Sequence, residues 1–388
     1  MKLFSICIAT KNRAQYCINA IESILAKQWD NIELIVQDNS DDLYLKEYVA
    51  ANFNDSRLIY NYTPPPFSSI DNFNAVVSLS SGEYICMIGD DDGVADQIME
   101  VVRWAKANAI DSISPKTFSE YFWPETFGSA KDATLVIPAY SSKSTKIDLE
   151  TQLQNFFKNG AVDYLRYGFP KLYHGIVKRA FLEAMKAHTG YFIGGLSPDI
   201  YTAIGLSTVV KNHIVLDFPV TIAGACKEST TIASINGQHS GELYKAPHFR
   251  SREFYKWDAQ IPEVYSVETI WAESALKAVS ELGRNDLRQV FNEDVFGAKN
   301  LLRNTHKFKY FFSQTKIHFQ KSGRKKIRLF MLGMHVSKYF VKYIYNRLFA
   351  TKQEKIDSGV LIANVHNIKQ ASEIVSEKLG AGVLIALS

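Results

Sequence analysis

The chain has 388 residues, of which 46% are hydrophobic, and a formal net charge of +4. This length exceeds one typical domain, and the apolar content is sufficient for a folded core. The four cysteines form no CxxC pair and fall mostly within apolar patterns, which predicts reduced thiols of a cytosolic protein and disfavours secretion and a cysteine-based metal site. They are Cys7, Cys17, Cys86 and Cys226.

The net charge conceals a strong asymmetry along the chain. Between Lys299 and Gln353 there are 14 Lys and Arg residues and no Asp or Glu, which leaves 30 basic and 40 acidic residues in the rest. The main body is therefore acidic and one C-terminal segment is strongly basic. No uninterrupted apolar stretch reaches roughly 18 residues, so no transmembrane helix is expected. The apolar run Leu3–Ala9 is short for a signal peptide and predicts a buried β-strand.

Short apolar runs alternate with segments of helical periodicity over the first hundred residues. This alternation is typical of βαβ units on a mainly parallel sheet. It predicts strands at Leu3–Ala9, Ile32–Gln37, Leu58–Asn61 and Tyr84–Ile88, and helices at Ala14–Lys27, Asp41–Ala51, Asn72–Leu79 and Ala95–Ala107. Ligands of such sheets bind beyond the carboxyl ends of the strands, so Thr10–Arg13, Asp38–Ser40 and Gly89–Asp92 are expected on one edge.

The periodicity is lost between about Ser114 and Ser144, where aromatic residues, Ser, Pro and Gly predominate. This composition predicts a long insertion without regular structure, of the kind that often binds substrate. Strand and helices are expected again at Tyr173–Val177, Lys178–Ala187 and Asp199–Leu206, and residues beyond about Ser266 are expected to be mostly helical. The last stretch, from Gly359, follows a charged linker and has no assigned role.

Three consecutive carboxylates, Asp90, Asp91 and Asp92, follow the apolar run in GEYICMIGDDDG. Asp and Gly favour turns, so a solvated turn is one interpretation. An EF-hand loop fits poorly, because its alternating ligands and final Glu are missing. The other interpretation is a hard divalent cation, Mn²⁺ or Mg²⁺, held by one or two carboxylates and substrate phosphates. The two polar strand ends expected nearby favour the cation.

Three segments carry a resemblance to a known family: SICIATKNR at residues 5–13, IELIVQDNSDD at 32–42 and NAVVSLSSGEYICMIGDDD at 74–92. In order and spacing they resemble the opening signatures of family-2 glycosyltransferases. The resemblance covers about the first hundred residues and continues more weakly to about residue 245. It implies an α/β GT-A fold, a mainly parallel Rossmann-like sheet flanked by helices, with a mostly helical C-terminal extension.

The resemblance also implies a division of the chain. Residues 1–250 would form the catalytic domain, with a nucleotide-binding half at 1–110 and an acceptor half at 111–250. Residues 260–355 would form a basic helical region that associates with membranes, and 356–388 a tail of unknown role.

Individual positions take their expected roles from the same resemblance. The nucleotide-binding residues would be Thr10, Asn12, Arg13, Asp38, Asn74 and Asp90, and the metal ligands would include Asp91 and Asp92. Apart from the resemblance, His239 in NGQHSGE would complete the metal shell or contact the diphosphate after its loop closes. Gly89 stands where the first Asp of the family's Asp-any-Asp motif usually stands, so the pair that holds the cation stays open. His239 lies in a polar Gly/Ser loop, where a lone histidine is more often merely exposed. Tyr121, Phe122 and Trp123 would either stack on a sugar ring or form a satellite core.

Asp199 is the expected catalytic base, which would take the proton of the acceptor hydroxyl. In GGLSPDIYTAIGL it follows Ser197 and Pro198, and this order is also good helix-start chemistry in itself. In the family, the base lies in an acidic dipeptide at a helix start roughly a hundred residues after the metal motif. Pro198-Asp199 resembles that dipeptide with its first acid replaced.

The resulting prediction is an inverting, metal-dependent glycosyltransferase. It would move a sugar from a nucleotide-diphosphate donor, UDP-sugar by default, to a glycan or lipid-linked acceptor in surface polysaccharide or lipopolysaccharide synthesis. One alternative is a sugar-nucleotide nucleotidyltransferase, although its usual Gly-rich loop is missing from TKNRAQY. Another is a non-catalytic protein that binds nucleic acid or membrane.

The basic C-terminal segment mixes cations with aromatic and aliphatic residues. Such a segment can bind nucleic acid, lie on an anionic membrane, or pack on the protein with its charges solvated. A glycosyltransferase body favours the membrane, and no recognised nucleic-acid motif is present. The predicted location is therefore cytoplasmic, peripheral on the inner face of the plasma membrane, with no nucleic-acid partner.

Overall fold

The computed structural model describes residues 2–128, 132–228, 240–252, 254–321, 325–349, 359–382 and 385–387. They form a mixed α/β fold with a large, mainly parallel sheet, a smaller second sheet and a helical C-terminal region. The predicted fold class is confirmed.

The strands are numbered in chain order. They are β1 Phe4–Thr10, β2 Ile32–Asp38, β3 Leu58–Tyr62, β4 Tyr84–Ile88, β5 Gly93–Val94, β6 Ser112–Pro115, β7 Ser119–Phe122, β8 Thr134–Ile137, β9 Lys143–Lys146, β10 Ile176–Lys178, β11 His213–Leu216, β12 Thr221–Ala225, β13 Ser240–Gly241, β14 Tyr265–Ser266, β15 Val360–Ile362 and β16 Ala386–Leu387.

The helices are numbered in the same way. They are α1 Ala14–Leu25, α2 Tyr44–Asn52, α3 Ser69–Leu79, α4 Ile98–Ala107, α5 Leu149–Lys158, α6 Arg179–Thr189, α7 Pro198–Val209, α8 Val267–Glu281, α9 Asn285–Gln289, α10 Glu293–Arg303, α11 Phe308–Lys321, α12 Lys325–Phe349 and α13 Ile368–Leu379.

The large sheet has nine strands among the described residues, in the order β16-β9-β11-β6-β10-β4-β1-β2-β3. Strands β1 to β4 run parallel to one another, and β10 pairs antiparallel with both β4 and β6. Thr10 lies opposite Asp38, and Ile8 opposite Ile88, so the carboxyl ends of β1, β2 and β4 meet at one edge. The polar segments that follow these strands are thereby brought together.

The central strands are buried on both faces because helices cover the sheet from both sides. Successive residues of a strand point to opposite faces. Accordingly Ile6 and Ile8 belong to one apolar cluster, with α1 and α4, while Cys7 belongs to the other, with α3 and α7. This double burial explains why these strands read as continuous apolar runs in the sequence. All four cysteines are buried and unpaired.

The segment between Ser114 and Ser144 contains β7, β8 and the first residues of β9, so the expected insertion without regular structure is wrong. Strands β7 and β8 belong to the second sheet, which has the order β15-β8-β7-β12-β5. Within β7, Ser119 and Tyr121 are buried while Glu120 is exposed. These strands have only four residues each, and the pairing of β7 with β12 joins segments about a hundred residues apart, so local periodicity gives little indication of them.

The C-terminal tail, residues 359–382 and 385–387, is part of the core. Strand β15 adds to β8, β16 adds to β9, and Ile368 and Val375 of α13 are fully buried. The tail also binds the segment that follows the three aspartates. Gln97 Nε2 donates to the Ser376 carbonyl at 2.9 Å and to the Gly380 carbonyl at 2.7 Å.

Replacing Ile368 with Ala should therefore lower the free energy of unfolding by roughly 2–4 kcal/mol, because a buried side chain is removed and a cavity remains. Leu361, in the same tail, is 66% exposed, and Leu361→Ala is expected to change the stability by less than about 0.5 kcal/mol. Denaturant unfolding of the full chain measures both. Equal effects of the two substitutions would mean that the tail is a detachable appendage.

Candidate active site

The three aspartates form a buried turn directly after β4. Asp90, Asp91 and Asp92 are 2%, 4% and 2% exposed. The solvated turn considered from the sequence is therefore wrong. Buried carboxylates need cations or hydrogen-bond donors around them, and the structure supplies these differently to the three side chains.

Arg13 is the cation that faces the first two aspartates. It precedes α1, and its guanidinium nitrogens lie 3.0 Å from Asp90 Oδ1 and 2.7 Å from Asp91 Oδ2. Both oxygens are buried and have no hydrogen-bond partner of regular geometry. The contact is thus one of charge without directed bonds. Burial raises the pKa of both Asp90 and Asp91, while Arg13 acts in the opposite direction.

Both carboxylate oxygens of Asp92, in contrast, accept hydrogen bonds from other groups of the protein. Its Oδ2 accepts from Gly89 N at 2.6 Å and Tyr173 OH at 2.7 Å, and lies 3.2 Å from His174 Nε2. Its Oδ1 accepts from Gly224 N at 2.7 Å. Burial acts to raise the pKa of Asp92, but His174 and the hydrogen bonds outweigh it, so this pKa is lowered. Asp92 therefore holds the turn against β12 and the segment before β10.

The ends of β1 and β2 complete the cluster. Thr10 Oγ1 donates to Asp90 Oδ2 at 2.6 Å. Asn12 has a positive φ of 57°, and its backbone N donates to Ser40 Oγ at 2.9 Å. Asp38 is fully buried and accepts from Ser40 N at 2.8 Å and from the hydroxyl of Tyr60 at 2.6 Å. The structure thus brings Thr10, Asn12, Arg13, Asp38 and Asp90 together at one sheet edge.

Asn74, which the resemblance assigned to nucleotide binding, makes its contacts elsewhere. Its Nδ2 donates to the carbonyls of Ile70 at 2.9 Å and Ile193 at 2.7 Å. Its Oδ1 accepts from the backbone N of Phe192 at 2.9 Å and of Ile193 at 3.0 Å. The amide therefore fixes the chain that leads to Asp199.

Asp199 is an exposed residue in the first turn of α7. The loop before it is held by Ser274 Oγ, which accepts from the backbone N of Leu196 and of Ser197 at 3.0 Å each. Ser197 is at the N-cap position, but its side chain makes no capping hydrogen bond. Although the Asp199 side chain reaches the surface, the protein packed around it raises its pKa, and the positive charge of Lys171 opposes this shift.

His174 connects the two parts of the site, and sequence reasoning missed it. It is 8% exposed, contacts Asp92, and lies within electrostatic range of Asp199. Its position results from the antiparallel pairing of β10 with β4, where Val177 lies opposite Ile85. No local signal in LYHGIVKR marks this pairing, so only the folded chain identifies the residue.

The aromatic residues proposed as sugar platforms are mostly core. Tyr121 is fully buried and Trp123 is 5% exposed, and Trp123 Nε1 donates to the Asp91 carbonyl at 3.0 Å. Phe122 is half-buried. Cys226, whose Sγ lies 2.8 Å from Arg13 Nη2, was also missed. Burial raises the pKa of Cys226 to about 12, so its thiol stays protonated at neutral pH and is not a thiolate ligand.

The described part of the site offers few ligands for a divalent cation. Among the described residues, no group of three or more His, Cys, Asp or Glu side chains is arranged to hold a metal, and His239 lies outside the described residues. Two buried oxygens without hydrogen bonds, Asp90 Oδ1 and Asp91 Oδ2, do face one cation, Arg13. They fit a hard ion that takes one or two carboxylates and completes its shell with phosphate oxygens.

A cleft of about 590 Å³ opens beside this cluster and shares Asn12 and Arg13 with it. The C-terminal tail forms part of its wall through His366 and Asn367. The buried aspartates thus lie next to an open space that a ligand can enter.

Comparisons with known proteins give a family match for the N-terminal part of the chain. Residues 5–159 match the family model described as glycosyl transferase family 2. Residues 5–159 are thus similar to this family, and the resemblance found in the sequence is confirmed.

Particular relatives are more distant. The chain is 37% identical over 92 residues to the putative colanic acid biosynthesis glycosyl transferase WcaA of Escherichia coli (strain K12). That match covers 23% of this chain and about a third, 33%, of the relative. S. aureus TarS 1–349 in complex with UDP-GlcNAc has a TM-score of 0.42 and 13% identity, covering 84% of this chain and 93% of that one. Its complex with UDP has a TM-score of 0.43 and 13% identity, covering 90% and 92%.

The different surroundings of the aspartates predict different effects on stability. Asp92→Asn should lower the free energy of unfolding at neutral pH by about 2–4 kcal/mol, because it leaves buried donors without a carboxylate. Asp91→Asn should cost less than about 1 kcal/mol, because burial already disfavours its charge. Urea denaturation compares the two.

The stabilisation that Asp92 provides should decrease in acid. The lowered pKa of Asp92 gives a stabilisation that is present above the ordinary Asp pKa of about 3.9 and lost as the pH falls below it. The difference between wild type and Asp92→Asn should therefore shrink in acid. Equal destabilisation by the two variants at neutral pH would contradict the structural role of Asp92.

Proposed function

We propose that this protein is an inverting, metal-dependent glycosyltransferase that uses a nucleotide-diphosphate sugar, with UDP as the nucleotide. One observation carries the proposal. Two buried carboxylate oxygens, on Asp90 and Asp91, accept no hydrogen bond and lie beside a cleft at the edge where β1, β2 and β4 end. The family match of residues 5–159 supports glycosyl transfer as the reaction.

The divalent ion would be Mn²⁺ or Mg²⁺, held by Asp90 and Asp91. When bound, it neutralises the negative charge that develops on the leaving diphosphate. Asp92 is proposed as the residue that orients the turn, because donors of the protein already occupy both of its oxygens. Arg13 would share the two aspartates with the ion and also face the diphosphate.

The remaining residues of this edge would bind the nucleotide. Asn12 is near the surface of the cleft, and Thr10 holds Asp90 in place. Asp38 is fully buried and bonded to Ser40 and Tyr60, so we propose that it shapes the base pocket and leaves contact with the base to the surrounding backbone.

Asp199 would act as the base of the reaction. The acceptor oxygen forms a bond to the anomeric carbon while the bond from that carbon to the diphosphate oxygen breaks. The acceptor proton passes to Asp199, and the nucleoside diphosphate leaves with the bonding electron pair. In-line attack from the opposite face inverts the anomeric configuration. Asp199 suits this role because it is exposed while its loop is held firmly by Ser274.

The acceptor would be a glycan or a lipid-linked glycan in the synthesis of a surface polysaccharide or lipopolysaccharide. The E. coli relative is named for colanic acid biosynthesis, which supports a polysaccharide product. We therefore propose a surface polysaccharide as the class of product and no particular linkage.

Two substitutions separate donor binding from catalysis. With Mn²⁺ present, UDP is expected to raise the melting temperature of the wild type more than GDP, CDP or dTDP. Asp91→Asn should lose this Mn²⁺-dependent shift. Asp199→Asn should keep it, but release UDP from UDP-sugars roughly 10²–10⁴ times more slowly, as for loss of a general base.

Asp30→Asn, at an exposed carboxylate, is the control and should behave as the wild type. If no nucleoside diphosphate stabilises the wild type, glycosyl transfer is the wrong reaction. If Asp91→Asn keeps the Mn²⁺-dependent shift, the metal assignment is wrong.

We further propose that the basic helical region binds an anionic membrane surface, at the cytoplasmic face of the plasma membrane. None of the described helices is both long and apolar enough to cross a bilayer. On α12, Phe330, Met334 and Val341 are 67%, 46% and 65% exposed and share one face, while Leu332 on the other side is buried. An exposed apolar stripe within a basic segment that lacks acidic residues suits an anionic lipid surface.

Sedimentation with vesicles tests this surface. The protein should bind vesicles that contain phosphatidylglycerol, and bind vesicles of phosphatidylcholine alone much less. The double variant Phe330→Ala, Val341→Ala should bind about tenfold or more weakly, because apolar side chains no longer enter the lipid. Leu165→Ala, at an exposed apolar residue outside the basic region, is the matched control. Undiminished binding by the double variant, or a preference for duplex DNA over vesicles, would contradict the proposal.

A further inference from the structure

We propose that His174 contacts the sugar in the active site, with Nδ1 of its imidazole accepting a hydrogen bond from a sugar hydroxyl. This inference rests on the proposed function and adds a residue that neither the sequence motifs nor the family resemblance indicates. It begins from an unsatisfied atom. Nδ1 of His174 is buried and has no hydrogen-bond partner in the structure, whereas most buried polar side-chain atoms have one.

The other ring nitrogen determines what Nδ1 can do. Nε2 lies 3.2 Å from Asp92 Oδ2, and a carboxylate only accepts hydrogen bonds. Nε2 therefore carries the hydrogen, and in the neutral imidazole Nδ1 is then an acceptor. Asp92 thus fixes the tautomer of His174 in addition to holding the turn.

The ring is held rigidly in this orientation. It stacks on Phe118 with centroids 5.6 Å apart and planes 14° apart, and Tyr173 meets it edge-on at 4.7 Å. The backbone N of His174 donates to the Met87 carbonyl at 2.8 Å, and its φ is 61°, in the left-handed region. Histidine is among the residues that adopt this region more often than most. A fixed ring offers a hydrogen-bonding atom to a ligand without loss of side-chain freedom.

The location indicates the class of ligand. His174 Nε2 lies 3.2 Å from Asp92, the neighbour of the two proposed metal ligands, and the imidazole interacts electrostatically with Asp199. In the proposed reaction the transferred sugar lies near the metal ligands and the base, and it offers hydroxyl groups. A diphosphate oxygen carries no hydrogen at neutral pH and cannot satisfy an acceptor, so a hydroxyl is the matching group. The side chain of His174 keeps 9% of its surface exposed, and the proposed hydroxyl reaches Nδ1 when the atoms that cover it move on substrate binding, while the ring stays in place.

Two amide substitutions distinguish contact with the sugar from support of Asp92. In His174→Asn, the amide oxygen can take the place of Nδ1, while the contact with Asp92 is lost. In His174→Gln, the amide nitrogen can take the place of Nε2, while the acceptor at Nδ1 is lost. A contact with the sugar predicts that the Asn variant keeps kcat/KM within about threefold of the wild type. The Gln variant should then lose about tenfold, as for one hydrogen bond.

The assay is release of UDP from UDP-glucose, UDP-galactose and UDP-N-acetylglucosamine, with Mn²⁺. The affinity for UDP alone should be unchanged in both variants, because UDP lacks the transferred sugar that His174 is proposed to contact. Asn adopts a left-handed backbone more readily than Gln, so the two variants can differ in stability for this reason alone. Their melting temperatures measure that difference. The reverse order of activities, or equal loss of UDP affinity and turnover, would overturn the inference. A wild type that neither binds UDP nor hydrolyses these donors would instead refute the proposed function.

Discussion

The site depends on one electrostatic constraint: three consecutive carboxylates are buried at the end of a strand. Such charges repel one another and lose their hydration. Other parts of the chain must therefore supply positive charge or hydrogen-bond donors to stabilise them. The chain does so in two ways. Arg13, from the start of α1, places its positive charge against Asp90 and Asp91, while backbone and side-chain donors surround Asp92. Asp90 and Asp91 each keep one oxygen without a hydrogen bond, which a ligand can use. Both oxygens of Asp92 already accept hydrogen bonds within the protein.

This division joins distant parts of the chain. Asp92 ties the turn to β12 and to the segment before β10, and the neighbouring Gly93 packs against Ile368 of the tail. A side chain at Gly224 would lie 1.9 Å from the Asp91 carbonyl, so β12 can approach the turn only with glycine at this position. The geometry of the aspartates is therefore set by the second sheet and the tail as much as by the strand that carries them.

The sequence predicts those parts of the arrangement that depend on interactions between residues close together in the chain. Strands β1 to β4 and their helices are predictable, because their periodicity is local and their polar ends must share one edge of a parallel sheet. Strand β7 and the tail strands are not predictable, because strands of two to four residues form only by pairing with partners far along the chain. The same holds within the site. Asp90 and Asp91 are visible as a motif, whereas His174 reaches Asp92 only through an antiparallel strand pair.

The charge balance of the cluster links the proposed metal to the proposed donor. Asp90 and Asp91, when ionised, carry one more negative charge than Arg13 can neutralise. A nucleoside diphosphate would bring further negative charge to the same edge, and buried like charges at short distance are strongly unfavourable. Binding such a ligand here therefore requires additional positive charge, which a divalent ion supplies between the carboxylates and the phosphates. On this argument, donor and ion bind together, and Arg13 maintains the site until they do.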